Sequence, residues 1–400
     1  MSKILLVHNG RRMGGAPRAL GYIIRALVNS GWDTYVACVP CPETRKHFVS
    51  AGAQVILLDT LPRFTNTTSN KYTVQSNEYA SERKIAEQYT EKWRSLLQEH
   101  GPFTHVVINS VVLCDLIQPS LEEGCKVIQF VRETSEEGPE LDVMCEKLEK
   151  ANAVVFISEY DRDMYSLNNC CTYVVPDFAD PKMYYITYQK RETLRKQNKI
   201  EDSQYVVLYT GGDNKIKGPH IVLDSMARIK KPKDIVLIYA GYTHKTEENR
   251  YKKLIKYLIA LISSGKYYAE RLEIFKCLLG RKMEVIYTGY SMNIEQYFKI
   301  ADLCLVPYSV PHQAMPIFEA GMAGIPCIAS KFRCFEKEIE NGKNGLLVSI
   351  DKPKQWARAI EKLADNRALS RSMGDENKRK AYERHDMQSN IYKIIKILEK

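Results

Sequence analysis

No apolar run in this chain approaches the roughly 20 residues that a helix needs to cross a bilayer. The opening MSKILLVHNG lacks the order of a secretory leader and reads as a strand entering a polar loop, so the chain is expected to be cytoplasmic. A second cysteine pair is also missing. CVPC, at Cys38 and Cys41, is a lone CxxC that offers half of a tetrahedral metal site, and neither a metal nor a redox centre is expected from it. The eleven cysteines are an odd number and scattered, with Cys304 and Cys327 inside apolar strand-like runs, which suits a reducing compartment. In such a compartment the NTT at Asn66 is only a formal glycosylation sequon. An acidic balance is absent as well, since the formal charge is +10. That excess invites a phosphate-bearing ligand or an anionic membrane surface. RIKKPK and ENRYKKLIKYL nevertheless read first as solvated helical surface; no nucleic-acid partner is expected, and transient membrane contact stays open.

What is present is an ordinary globular composition, 44% hydrophobic and 26% charged, over 400 residues, more than one hydrophobic core usually spans. The first half alternates short Val- and Ile-rich runs with helical or polar stretches. KILLVHN leads to a glycine-bearing loop and the helical APRALGYIIRALVNSG; DTYVACV, AQVILLD, HVVINS, KVIQFV, AVVFIS and CTYVVPD follow. From about residue 203 the grammar restarts with QYVVLYTGG, the helical GPHIVLDSMARI, then IVLIYAG, MEVIYTG, LCLVPY, PCIAS and GLLVS. Two α/β Rossmann-like domains with parallel sheets follow from this, and ligands of such sheets bind beyond the carboxyl ends of the strands. The expected bounds are 1–180, a charged linker at 181–202, 203–378, and a last helix over 379–400 that packs back on the first domain.

Three strand ends carry candidate chemistry. In HNGRRMGGAPRAL the chain bends at Gly14 and Gly15 and enters a helix, a place where amide N–H groups and the helix dipole favour an anion. The spacing is not GxGxxG, and a plain tight turn is an equal reading. In TGGDNKIKGPHIV, Gly211 and Gly212 precede Lys215 and Lys217, whose ammonium groups can neutralise a diphosphate or simply stand in solvent. In PHQAMPIFEAGMAGIPCIAS the turn at His312, Gln313, Ala314 and Met315 offers amides. Glu319 follows one helical turn later, and a ribose with adjacent hydroxyls is a fitting partner for such a semi-buried acid.

Together these segments resemble the retaining GT-B glycosyltransferases of glycosyltransferase family 4, also called group 1. GGAPRAL looks like the family's glycine loop, VFISEYDRDMY like its segment closing the first domain, and PDFADPKMY like its PNGvD turn. TGGDNKIKG is similar to GRLxxxKG, and PHQAMPIFEAGMAGIPCIAS to EGFGLPxxEAMAxGxPVVAS. Two positions depart: the first acid of the paired-glutamate motif is Pro311 and the arginine after the glycine is Gly212. The resemblance implies that Lys217 holds the diphosphate; Lys215, nearby in the same loop, is expected to replace the missing arginine. The same resemblance gives Glu319 the ribose, and the amides of His312 to Met315 the donor sugar. Where the family has a histidine near the reacting carbon, this chain has Arg132 followed by Glu133, which orient a substrate or pair with each other.

The resemblance further implies transfer of a hexose with retention and without a metal or cofactor, in a cleft between an acceptor-side first domain and a nucleotide-sugar-binding second one. GDP-mannose is expected on family frequency, with UDP-glucose next. The acceptor is a glycan, a lipid or a protein-linked sugar, and a homodimer stays open. Three rivals stand beside this reading: a weakened nucleotide-sugar binder, a GT-B epimerase, and a nicotinamide dehydrogenase, the last disfavoured by the missing GxGxxG.

Overall fold

Strand-length apolar runs alternating with helices build two units, Met1–Phe178 with Met387–Lys400, and Ala179–Asp386. This computed structural model describes residues 2–10, 13–64, 66–67, 70–71, 74–241, 268–289 and 293–400. Arg11 and Arg12 of the first glycine loop, Thr68 of the NTT sequon and the whole ENRYKKLIKYL stretch lie outside the described residues.

In the first unit the order is β1 (Lys3–His8), α1 (Gly15–Asn29), β2 (Asp33–Cys38), α2 (Pro42–Ser50), β3 (Gln54–Leu57), a small β4 (Asn66–Thr67) and β5 (Asn70–Lys71) hairpin, and α3 (Asn77–His100). There follow β6 (His105–Ile108), α4 (Ile117–Glu122), β7 (Lys126–Val131), α5 (Pro139–Leu148), β8 (Ala153–Phe156), α6 (Glu159–Met164) and β9 (Cys171–Val174). The main sheet runs β3-β2-β1-β6-β7-β8-β9, and every pairing is parallel. Both faces are covered, which is why the strands read as continuous apolar runs. Leu5 and Val7 of β1 face a core with Trp93 and Met144, whereas Ile4 and Leu6 face Leu20, Ile23, Ile24 and Leu27 of α1.

The second unit begins with α7 (Pro181–Tyr184) and α8 (Tyr188–Gln197), then β10 (Tyr205–Tyr209), α9 (Pro219–Ala227), β11 (Ile235–Ala240), α10 (Tyr268–Gly280) and β12 (Glu284–Thr288). It continues with α11 (Glu295–Ile300), β13 (Leu303–Val306), α12 (Met315–Met322), β14 (Cys327–Ser330), β15 (Gly345–Val348), α13 (Pro353–Asp365) and α14 (Arg367–His385). Its parallel sheet runs β12-β11-β10-β13-β14-β15. Strand order reverses between β10 and β13, the switch point beyond which α/β sheets bind ligands.

Two stretches differ in detail from the expected bounds. Residues 181–202, expected as a linker, hold α7 and α8, and α8 docks on the second unit through Arg191 and Arg195. Their Nη2 atoms each lie 2.7 Å from an oxygen of Asp302, while Arg195 also donates to the Ile300 carbonyl. The expected last helix, 379–400, is instead the end of α14 in the second unit and a separate α15 (Met387–Leu398) in the first. Ile394, Ile397 and Leu398 of α15 join the α1 side of the first unit's core.

Candidate functional site

The loops after β10 and β13 meet at the switch point of the second unit. Between β10 and α9 the chain makes a short 3-10 turn at Lys215–Lys217, with the Asn214 side chain accepting from the Ile216 N–H. Gly212 and Gly218 turn this loop with φ of +55° and +70°. A Cβ on Gly218 would stand 1.7 Å from the Pro307 carbonyl oxygen, and one on Gly212 2.4 Å from that of Gly241. Both turns thus need glycine, for the left-handed backbone and for room. An arginine at 212, where the resembled family has one, does not fit this backbone. Gly211 sits beside the Tyr209 hydroxyl and Lys217.

The loop is held from below and from the side. Tyr209 and Tyr239 both donate to the Gly212 carbonyl, at 3.0 and 2.7 Å, and Tyr239 also reaches Asp213 at 2.8 Å. Buried Lys276 binds Asp213 at 2.6 Å and Glu273 at 3.1 Å. From the β13 loop, the Ser309 N–H donates to the Ile216 carbonyl at 2.9 Å and its hydroxyl to that of Lys215 at 3.1 Å. These contacts hold a loop that glycine would otherwise leave loose. Sequence reasoning misses them, because tyrosines in YVVLY and IVLIYA look like core; a hydroxyl at a strand end is the signal that could have found them.

Half-buried Lys217 points its ammonium at the Tyr308 ring, 3.8 Å from the centroid. Burial lowers its pKa to about 7. His312 lies nearly parallel to the same ring at 6.2 Å, and burial, then the Lys217 charge, push it down to about 3, so it is neutral near pH 7. Lys215 is exposed. His312, Gln313 and Ala314 form the turn into α12, whose first residue is Met315, and Pro311 precedes them. Glu319 lies on α12, 3% exposed, with Oε1 accepting from the Tyr184 hydroxyl at 2.8 Å. Glu319 also helps raise the Tyr308 phenol, after burial, which places its charge near that ring. Lys217 and His312 thus both lie against Tyr308. The buried acid has a protein partner in Tyr184, so a ligand hydroxyl is not the sole explanation for its presence.

In the first unit Gly14 precedes α1 in an extended conformation, with no described atom within 4 Å of where a Cβ would stand, and Gly15 opens the helix. The Gly14 carbonyl accepts from the Arg18 N–H at 3.3 Å. Nothing in this geometry requires glycine at position 14. Arg132 follows β7, buried. Its Nε donates to Asn109 at 2.7 Å, and its guanidinium pairs with Asp177 rather than with Glu133. Glu133 instead accepts from the Ser110 hydroxyl and the N–H groups of Val111 and Arg132, while burial pushes its carboxyl up. The expected choice between pairing with Glu133 and orienting a substrate therefore gains a third term, a fixed Arg132–Asp177 pair. His8, at the end of β1, receives a long 3.4 Å contact from Asn109 and is held down to about 4 by burial and Arg132.

The family described as Glycosyl transferases group 1 matches residues 190–380. Spore coat protein SA of Bacillus subtilis is 24% identical over 214 residues, 52% of each chain. D-inositol 3-phosphate glycosyltransferase of Corynebacterium jeikeium is 25% identical over 250 residues, 59% of this chain and 55% of that one. The chain thus spans about half the length of the curated relatives it matches. Among solved structures, Anabaena Alr3699/HepE in complex with UDP and glucose aligns over 100% of both chains with a TM-score of 0.75 at 18% identity. Sucrose-phosphate synthase of Thermosynechococcus elongatus covers 100% of this chain and 98% of its own, at 0.72 and 16%. The chain has the GT-B fold of paired Rossmann-like units, and its second unit carries the match to the group 1 glycosyl transferases.

Proposed function

We propose that this chain is a glycosyltransferase that moves a hexosyl group from a nucleoside diphosphate sugar to an acceptor hydroxyl, with the donor held by the second unit. The observation that carries this reading is the half-buried Lys217 ammonium at the end of a glycine loop, set against the Tyr308 ring. The family match over residues 190–380 and the UDP-glucose complex of Anabaena Alr3699/HepE support it.

In this proposal the diphosphate lies against Lys217, with exposed Lys215 adding charge, and Glu319 binds the ribose. The amides of the His312–Met315 turn hold the sugar in place of the missing acid at Pro311. The reaction proceeds with retention: the anomeric carbon's bond to the phosphate oxygen breaks, its bond to the acceptor oxygen forms on the same face, and the acceptor's proton passes to the leaving phosphate. Lys217 stabilises the charge that develops there, a role worth about 2.7 to 4 kcal/mol of barrier. No metal or cofactor enters the scheme. Gly14 and Gly15 are assigned to donor binding through their amides, and Arg132 to catalysis; Arg132, already paired with Asp177, acts through a fixed orientation.

GDP-mannose remains the proposed donor on family frequency, and UDP-glucose, the ligand of a solved neighbour, is its direct competitor. A calorimetric titration with GDP-mannose, UDP-glucose and UDP-N-acetylglucosamine tests the reading, followed by release of GDP or UDP with glycan and lipid acceptors. One sugar nucleotide is expected to bind and turn over, and Lys217→Met to bind it weakly and lose turnover. Failure of every sugar nucleotide to bind overturns the proposal. Binding with neither hydrolysis nor transfer selects the second reading, a weakened relative that only binds its donor, favoured by Pro311 and Gly212.

A further inference from the structure

Tyr184 ends the short helix α7 and is 2% exposed, its ring set edge-on to Phe298 at 5.8 Å and 71°. A phenylalanine would fill that space equally well. What the hydroxyl adds is its 2.8 Å hydrogen bond to Oε1 of Glu319, a residue distant in sequence and on another helix. A glutamate carboxylate turns easily about its last bond, and a buried acid near an aromatic face gains little from choosing one orientation unaided. A rigid buried donor changes this, because a hydrogen bond to a charged oxygen is short, strong and directional. It also occupies a defined oxygen, so that a ligand hydroxyl meets the carboxylate from a defined side.

We infer that Tyr184 is a positioning residue: its hydroxyl fixes the Glu319 carboxylate so that the acid can select the ribose hydroxyls of a nucleoside diphosphate. The inference rests on the ribose role proposed above for Glu319. It has added weight in this chain because Pro311 stands where the resembled family has its first acid, leaving Glu319 as the acid of that motif. Tyr184 touches Glu319 and acts through it.

Calorimetry on the full chain with GDP and UDP, each beside its 2′-deoxy and 3′-deoxy forms, tests the inference. The wild type is expected to prefer the ribonucleotide. Tyr184→Phe keeps the ring and its packing on Phe298, and is expected to shrink that preference by about tenfold, the loss of one hydrogen bond to a charged group. Affinity for the deoxy form hardly changes. In a Glu319→Gln background, Tyr184→Phe is expected to change the preference no further. Equal weakening of ribo and deoxy forms by Tyr184→Phe would mean a packing role only and overturns the inference, as does full preference in the variant. A wild type that binds GDP or UDP without any ribose preference removes the role of Glu319 itself. Binding of neither nucleotide removes the donor site.

Discussion

Lys217 shows how one side chain ties loop geometry to function. With a pKa lowered from 10.5 to about 7, the ammonium is only partly protonated near neutrality while the site is empty. A diphosphate favours the charged form, so above pH 7 binding must take up a proton and affinity falls about tenfold per pH unit. The sign is opposite for the stability of the empty chain. The unfolded lysine keeps its proton up to 10.5, so the contribution of this residue to stability rises with pH between about 7 and 10.5. Calorimetry from pH 6 to 9 with a nucleotide sugar, whose diphosphate diester does not itself titrate there, is expected to show the decline. Lys217→Met is expected to bind weakly and without it. His312, near 3, does not titrate in this window. The residue types of the site were legible in the sequence. Their partners were not: Tyr308 beneath Lys217, Tyr184 on Glu319 and Asp177 on Arg132 all come from other segments of their units.

Among the elements, every apolar run read as a strand forms one, because a parallel sheet buried on both faces leaves its mark in consecutive Val, Ile and Leu. Helix α8 left no such mark. Its sequence YQKRETLRKQ has no apolar stripe, and its anchor is electrostatic: Arg191 and Arg195 grip Asp302, which also accepts from the Val206 N–H at 2.8 Å. Periodicity finds apolar faces and misses a helix docked by guanidinium groups. Removing Asp302 leaves the buried Arg195 guanidinium uncompensated, at a cost of up to about 3 to 5 kcal/mol. Asp302→Ala is therefore expected to lower the unfolding free energy of the second unit by that order, read as a lower urea midpoint, and α8 to lose protection from hydrogen exchange first. An unchanged midpoint with a protected α8 would show that apolar contacts hold it.

Across the whole molecule, most of the proposed donor site belongs to one unit, and this makes a spatial prediction. Hydrogen exchange on the full chain, with GDP or UDP at about 100 times its Kd, is expected to protect residues 210–218 and 307–322. The ligand adds about 2.7 kcal/mol to the state that binds it. Protection at the ends of β1, β6 and β7 instead, around His8, Asn109 and Arg132, would move the nucleotide to the first unit and reject the assignment.

The succession of sheet strands, the restart near residue 203 and the glycine loops followed from sequence alone, because burial and turn geometry act on neighbouring residues. The return of the last helix to the first unit was expected too, from its apolar residues, and Met387–Leu398 does join that core. Two outcomes required the tertiary structure: α8 docks on Asp302, and a Tyr184 hydroxyl meets Glu319. Each joins groups far apart along the chain, whose meeting depends on how the sheets stack their helices and leaves no pattern in either segment.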